Sequence, residues 1–265
     1  MKHRLPSQFL FSLFSLLAII IVVHGTYVAL VRPNAAAQMA RNTAAMKADP
    51  NYVPERSLWI VIKDYEQEAE IVLMLWALAI IGYKAAATAR ERQLLEQDLV
   101  RVPEGMRILP EDTREYLRQL EALPDHERGL LVPRVLRAAL SRFGATRNVQ
   151  DVSEAGHAVC QAEAERLESE LSMLRYVAWA IPAIGFIGTV RGIGDALSAA
   201  HKAVIGDISG VTEGLGVAFN STLVALLLSL LLMFLLHNLQ LAQERLVLGT
   251  DTYLDQRLLR HLQVR

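Results

Sequence analysis

Four apolar stretches limit what this chain can fold into. They lie at about residues 8–31, 69–88, 174–198 and 211–238. Each reaches the roughly 20 residues that an α-helix needs to cross the hydrocarbon core of a bilayer. Because a backbone in lipid must satisfy its own hydrogen bonds, such stretches are typical of spanning helices. We therefore predict an all-α membrane protein with four transmembrane helices.

The first stretch leaves two interpretations open. Lys2 and Arg4 precede it, and the small residues Ala35 to Ala37 follow it, as in a cleaved signal peptide. Its apolar run is longer than the roughly 7 to 15 residues of a signal-peptide core. The pattern favours an uncleaved signal anchor.

The distribution of basic residues predicts the orientation. Residues 89–173 contain twelve arginines, and the tail at 239–265 contains four. The segment at 32–68 contains five basic residues, and the short one at 199–210 contains one. Because basic residues favour the cytoplasmic side, we expect both termini and the large middle segment in the cytoplasm. Lys84, near the inner end of helix two, should snorkel to that surface.

The middle segment is predicted to form helices separated by breakers. Residues 111–123 and 125–143 have helical apolar spacing. The breakers around them are Pro103, Gly105, Pro110, Pro124 and Gly144. From residue 151 no breaker precedes helix three, and 239–262 continues helix four with Gly249 as its weak point. Helices three and four should therefore extend into a cytoplasmic helical bundle.

These boundaries divide the chain into four predicted regions. They are transmembrane helices one and two with a periplasmic loop at 32–68 (1–88), a cytoplasmic helical domain (89–173), transmembrane helices three and four (174–238) and a cytoplasmic helical tail (239–265). The turn between helices three and four is short, so these two helices should be antiparallel neighbours.

Small residues recur on one face of helices three and four. The packing residues are Pro182, Gly185, Gly188 and Gly192 in helix three, and Gly214 and Ala218 in helix four. A helix built only as an anchor would be Leu, Ile and Val throughout. Small residues at this spacing let two backbones approach closely.

Two hydroxyls fall at comparable depth on these faces. Thr189 lies roughly 12 Å from the outer end of helix three, and Thr222 roughly 15 Å from the outer start of helix four. Each hydroxyl either bonds the carbonyl one turn back in its own helix or flanks a shared path. Asn220 and Ser221 stand beside Thr222, so part of this polar group should face protein or water.

Charged residues lie near the predicted outer ends. Arg191 and Asp195 are spaced for an ion pair in helix three, and Glu213 begins helix four at a similar level. They form either a structural ion-pair cluster or an entrance for ions. His24 in helix one is either hydrogen-bonded between helices or a proton relay.

The segments IPAIGFIGTVRGI and GVTEGLGVAFNSTLVALLLS, joined by the short turn, resemble the paired-helix signature of the MotA/TolQ/ExbB proton channel family. The resemblance covers about residues 174–238. It implies a bacterial inner-membrane protein that couples an ion gradient to mechanical work. The four-helix layout with a large cytoplasmic insertion is similar to the flagellar stator branch.

The resemblance also implies partners and residue roles. Members form a homopentamer around a dimer of a MotB/TolR/ExbD-like partner, which has one membrane helix with an aspartate and a periplasmic domain. Thr189 matches the family threonine that faces this aspartate, and Glu213 matches a common acidic residue. The family's fourth-helix threonine falls at Ala218, so Thr222 is expected to take its role, with Ser221 in support. Arg191 stands where many members have an uncharged residue.

The leading hypothesis is therefore a subunit of an ion-driven motor, with H⁺ or Na⁺ as the ion. One alternative is a stand-alone channel or transporter, which needs its own titratable residue at mid-membrane. Apart from His24, we expect none in the mid-bilayer zones of the predicted helices. The other alternative is a scaffold that clusters cytoplasmic proteins through the charged segment at 90–170.

Other classes of protein lack support in the sequence. No nucleophile elbow, phosphate-binding loop, metal-ligand spacing or Rossmann glycine pattern occurs, so we expect no enzyme, cofactor or metal site. The single cysteine, Cys160, excludes an intrachain disulfide. The net charge of -1 says little about partners, and we expect no nucleic acid.

Overall fold

The computed structural model of the chain describes residues 7–49, 52–53, 57–102 and 106–264. Four residues used above lie outside these ranges: Lys2, Arg4, Pro103 and Gly105. Every regular element of the described ranges is helical, and their only strand-type pairing is an isolated bridge between Ile108 and Leu262. The predicted all-α class is confirmed.

Ten α-helices follow one another along the described residues. They are α1 (Ser7–Thr26), α2 (Arg32–Ala48), α3 (Leu58–Val61), α4 (Tyr65–Leu94), α5 (Thr113–Glu121), α6 (Asp125–Arg128), α7 (Leu131–Thr146), α8 (Val149–Glu170), α9 (Ser172–Ala203) and α10 (Ser209–Arg257). Four helical stretches of this part are long and apolar enough to cross a membrane: Leu10–Ala48, Tyr65–Leu94, Val149–Ala203 and Ser209–His261. The predicted number of spans is confirmed.

A π-helical turn, Tyr27–Val31, joins α1 to α2 without a break. The backbone N–H of Arg32 donates to the carbonyl of Tyr27, five residues back, in place of the usual four. Pro33 then falls in the first turn of α2, where its missing N–H is tolerated. Residues 32–48, predicted to begin a loop, are therefore helical.

Internal contacts divide the chain into two compact units. Unit 1 comprises Met1–Ile81 and Met173–Leu236, and unit 2 comprises Gly82–Ser172 and His237–Arg265. Unit 1 contains the apolar parts of α1, α4, α9 and α10, and with them every candidate site residue named above.

Unit 2 has its own apolar core. Helix α7 buries one face, and Leu136, Leu140 and Phe143 are fully buried. Leu254 near the end of α10 and Leu258 just after it complete the same cluster. Three turns of apolar side chains at helical spacing explain why α7 forms here.

Gly144 does not end a helix, contrary to the prediction. Helix α7 continues to Thr146 and ends at Arg147, which has left-handed backbone angles (φ 54°). A Cβ atom added to Gly144 would lie 2.8 Å from Oγ1 of Thr113. The glycine therefore serves a close approach between α7 and the start of α5.

The predicted continuous extension of helix three is also interrupted in the structure. Helix α8 ends at Glu170 and α9 begins at Ser172, so Leu171 interrupts the expected continuous helix. Its N–H bonds to the carbonyl of Glu168, three residues back, and its side chain is buried. By contrast, α10 runs through Gly249 without a break, as predicted.

Lys84 does not extend to a surface as expected. Its side chain is 5% exposed, and its ammonium lies 2.6 Å from a carboxylate oxygen of Glu170. Both residues belong to unit 2. The ion pair gives the buried charge a partner within the protein.

Candidate functional site

The contact between α9 and α10 is a contact between backbones. A Cβ atom added to Gly192 would lie 2.5 Å from the amide nitrogen of Ala218 and 2.5 Å from the carbonyl oxygen of Gly214. A Cβ atom added to Gly214 would lie 2.5 Å from the amide nitrogen of Ala196. No side chain longer than hydrogen fits at either glycine without moving a helix.

Gly188 and Gly185 extend this face of α9 to a point where α4 also contacts it. A Cβ atom on Gly188 would lie 2.5 Å from Cβ of Ser221 and 3.1 Å from Cγ of Glu66. A Cβ atom on Gly185 would lie 3.1 Å from the carbonyl oxygen of Ser221 and 3.4 Å from Oε1 of Glu70. The two glycines therefore let α4 and α10 both pack closely against the same part of α9.

Pro182 creates a second link between α9 and α10. Because proline has no N–H, the carbonyl of Ala178, four residues back, loses its helical donor. The hydroxyl of Ser229 on α10 donates to this carbonyl at 3.1 Å. The proline thus exposes a polar group on α9 that a buried serine of α10 satisfies.

Thr189 and Thr222 meet between the two helices. Their hydroxyls are directly hydrogen-bonded to each other. Oγ1 of Thr189 also lies 3.2 Å from the carbonyl oxygen of Gly185 and 3.1 Å from that of Ala218. Oγ1 of Thr222 lies 3.5 Å and 3.3 Å from the same two oxygens. The predicted bond to the own helix is therefore present for each threonine, and the two hydroxyls also bond to each other across the helix contact.

The threonine pair and the two carbonyl oxygens beside it offer more hydrogen-bond acceptors than donors. Each hydroxyl has one proton to donate. These two protons are shared among four oxygen atoms, namely the two hydroxyl oxygens and the carbonyl oxygens of Gly185 and Ala218. Both threonines are half-buried. A donor or a cation that reached the pair would find unused lone pairs, and rotation of the hydroxyls would let the pair donate to a carboxylate instead.

The other two polar residues of this stretch point elsewhere. Ser221 is fully buried and donates to the carbonyl of Val217 at 2.8 Å. Its hydroxyl oxygen lies 3.4 Å from Nε2 of Gln67 on α4, so Ser221 faces α4 rather than the threonine pair. Asn220 is half-buried, and its side chain makes no hydrogen bond within the described part of the chain.

Arg191 is bound chiefly to Glu66, a residue that the sequence analysis did not identify. Its Nε and Nη2 each lie 2.7 Å from a carboxylate oxygen of Glu66, in the two-pronged geometry of strong arginine pairs. Nη1 lies 3.7 Å from Asp195, which is 60% exposed. Glu213 is exposed and takes part in no ion pair among the described residues. The charge cluster therefore joins α9 to α4 and leaves Glu213 out.

Glu70 is a buried titratable group that the sequence analysis did not identify. Its side chain is 0% exposed, and neither carboxylate oxygen has a hydrogen-bond partner among the described residues. Oε1 of Gln67 and the hydroxyl of Tyr27 are buried and unpartnered in the same way. We call Tyr27, Gln67 and Glu70 the buried polar group.

One sequence signal could have revealed these carboxylates. The run at 65–70 places Glu66 and Glu70 four residues apart, on one face of a helix. An arginine within a membrane helix requires a counter-charge. Hydropathy alone starts the apolar stretch at about residue 69, which leaves Glu66 in the preceding loop.

His24 pairs with Glu68 on another face of α4. Its Nδ1 lies 2.7 Å from Oε1 of Glu68, and Nη2 of Arg32 lies 2.5 Å from Oε2. The His24 side chain is 59% exposed. The hydrogen bond between helices, one of the two interpretations of this histidine, is present.

Fold and site together define a multi-pass helical membrane protein in which two glycine-lined helices enclose a pair of threonine hydroxyls. Residues 129–251 match the model of the MotA/TolQ/ExbB proton channel family, the family that the sequence resembles, so the resemblance is confirmed. The matched region contains the threonine pair and the glycines, whereas Glu66 and the buried polar group lie outside it. Comparison with curated proteins and with solved structures gave no match.

Proposed function

We propose that this chain is the channel-forming subunit of an ion-driven motor in a bacterial inner membrane. It conducts protons together with a partner that has one membrane helix with an aspartate, and it converts the gradient into rotation. The observation that carries the proposal is the threonine pair inside the family-matched region. An enzyme is not supported, because the family consists of channel and motor subunits.

The threonine pair suits a partner's carboxylate that alternates between two charge states. An ionised carboxylate crossing apolar helix faces is costly, and a protonated one is much less so. Deprotonation beside Thr189 and Thr222 restores the need for hydrogen-bond donors, which the two hydroxyls supply. One proton crossing 100 mV releases about 2.3 kcal/mol, enough for a shift of about 50-fold in a two-state equilibrium.

The exposed apolar face of α10 supports an oligomer. Leu223, Leu227, Leu230 and Phe234 are between 47% and 71% exposed, on the side of α10 away from α9. Such a surface needs lipid or a neighbouring subunit. We infer a pentamer around a partner dimer, with both termini on the cytoplasmic side because arginine is concentrated in 89–173.

The test co-expresses the chain with candidate single-helix proteins that carry a membrane aspartate. The native mass of the purified complex gives the stoichiometry, for which we expect five to two. Proton flux into liposomes is then measured under an imposed potential with a pH-sensitive dye. A complex of another stoichiometry, or none with any aspartate-bearing single-helix protein, contradicts the proposal.

The variant Thr189→Val examines the threonine pair in the same assay. It keeps the shape of the side chain and removes the hydroxyl, so the complex should assemble and its flux should fall by about 100-fold. Thr189→Ser, which keeps the hydroxyl, is the matched control and should retain most of the flux. An assembled Val variant that conducts like the wild type contradicts an ion path at this position.

A stand-alone channel is the second candidate, and Glu70 is the observation that favours it. This carboxylate is a buried titratable group of the chain itself. The chain reconstituted without any partner distinguishes the two functions. Flux without the partner supports the channel, and flux only with the partner supports the motor.

A further inference from the structure

The buried polar group is chemically incomplete when Glu70 is ionised. Both oxygens of its carboxylate are enclosed, and no arginine, lysine or hydroxyl donates to them among the described residues. An isolated carboxylate out of water is strongly disfavoured relative to the neutral acid. Burial at this site therefore favours the acid form, which carries a proton.

The charged groups around Glu70 favour the same form. Arg191 on α9 uses two of its nitrogens on Glu66. Glu66 itself lies one turn before Glu70 on α4 and repels a second negative charge. The hydroxyl groups of Tyr27, in the turn after α1, and of Ser221, on α10, carry no charge.

A proton on Glu70 also gives the buried polar group its missing donor. A protonated carboxyl donates one hydrogen bond and accepts others. Gln67, three residues earlier on the same helix face, has an unpartnered carbonyl oxygen that can accept it.

Glu70 and the threonine pair lie near the same residue of α9, Gly185. Its Oε1 faces Gly185, at 3.4 Å from where a Cβ atom would be. The carbonyl of Gly185 is one of the two that the hydroxyls of Thr189 and Thr222 reach. The carboxyl of Glu70 and the hydroxyls of the threonine pair therefore both approach Gly185.

We propose that Glu70 is a second proton site on the ion path, supplied by this chain, which binds a proton at rest and exchanges it during transport. The inference rests on the proposed function, because it needs a path at the threonine pair. The step is a proton transfer alone: the O–H bond of the carboxyl breaks, and the proton passes to water or to the partner's carboxylate.

Infrared difference spectroscopy of the wild-type complex tests the resting proton. At neutral pH the wild type should show the C=O stretching band of a neutral carboxylic acid, shifted by deuterium exchange. Glu70→Gln, which is nearly the same shape, should lack this band. Glu68→Gln is the matched control, because Glu68 is paired with Arg32, and it should keep the band. A wild type without a band assignable to Glu70 overturns the proposal.

Proton flux tests the exchange. In assembled complexes, Glu70→Gln should reduce flux by about 100-fold, the lower end of what a positioned proton-transfer group contributes. Glu70→Asp keeps an acid at the site and should retain flux with a displaced pH profile. Unchanged flux in Glu70→Gln, or wild-type flux that depends on sodium at constant pH, overturns the proposal. Failure of the wild-type complex to conduct at all counts instead against the proposed function.

Discussion

Replacing Gly192 by alanine should push α9 and α10 apart. The new Cβ atom would lie 2.5 Å from the amide nitrogen of Ala218 and 2.9 Å from its Cα, and 2.5 Å from the carbonyl oxygen of Gly214. Ordinary contacts between such atoms need about 3.5 Å, so the helices must separate by roughly 1 Å. The obstacles are backbone atoms, and no rotamer change can relieve them.

The expected loss of stability follows from two opposing effects. Overpacking costs about 1–3 kcal/mol, and a clash with backbone lies at the upper end. Alanine in place of a helical glycine returns about 0.5–1 kcal/mol. The net destabilisation should be about 2 kcal/mol, or a melting temperature lower by roughly 4–8 °C for a chain of this size.

Thermal unfolding in one detergent, followed by tryptophan fluorescence, measures this loss. Gly194→Ala is the matched control, two residues further along α9, because nothing lies within 4 Å of a Cβ atom there. Its melting temperature should stay the same or rise slightly. If Gly192→Ala unfolds no earlier than Gly194→Ala, the two backbones do not approach as described.

Two further predictions use the same measurement. Arg191→Met should lower stability by about 2–3 kcal/mol because it leaves the buried carboxylate of Glu66 without its partner. Asp195→Asn changes an exposed and longer contact, so it should alter stability by less than about 0.5 kcal/mol. Equal losses in the two variants would contradict Glu66 as the main partner of Arg191. Gly144→Ala should destabilise by about 1–2 kcal/mol because its Cβ atom would crowd Thr113, and Gly129→Ala, with open space around it, should have no such effect. A neutral Gly144→Ala would show that α5 yields easily at this point.

The threonine pair could be predicted because it depends on regular geometry. The rise of a helix fixes the depth of Thr189 and Thr222, and the recurrence of glycine indicates which faces of the two helices approach. Two long apolar stretches joined by a short turn restrict their arrangement further. These are local properties, which a single sequence contains.

The partner of Arg191 could not be predicted in the same way. Three glutamates, Glu66, Glu68 and Glu70, stand at alternate positions at the start of α4. Hydropathy does not reveal which of them turn inward, because that depends on the rotation of α4 against α9. The structure turns Glu66 and Glu70 towards α9 and leaves Glu68 for Arg32.

The role of two glycines in the helices of unit 2 could not be predicted either. Gly144 was predicted to break a helix and Gly249 only to weaken one, yet both lie inside helices. Each stands close to a side chain of another segment, Thr113 for Gly144 and Leu95 for Gly249. A sequence does not distinguish a glycine that ends a helix from one that makes room for a neighbour.

The pairing of Glu66 with Arg191 has a consequence for biosynthesis. The two residues are 125 positions apart, so at about 5–20 residues per second Arg191 leaves the ribosome roughly 6–25 s after Glu66. During that interval the nascent first two helices hold a carboxylate that has no counter-ion. The early half of the chain therefore gains this ion pair only when the later half has been synthesised.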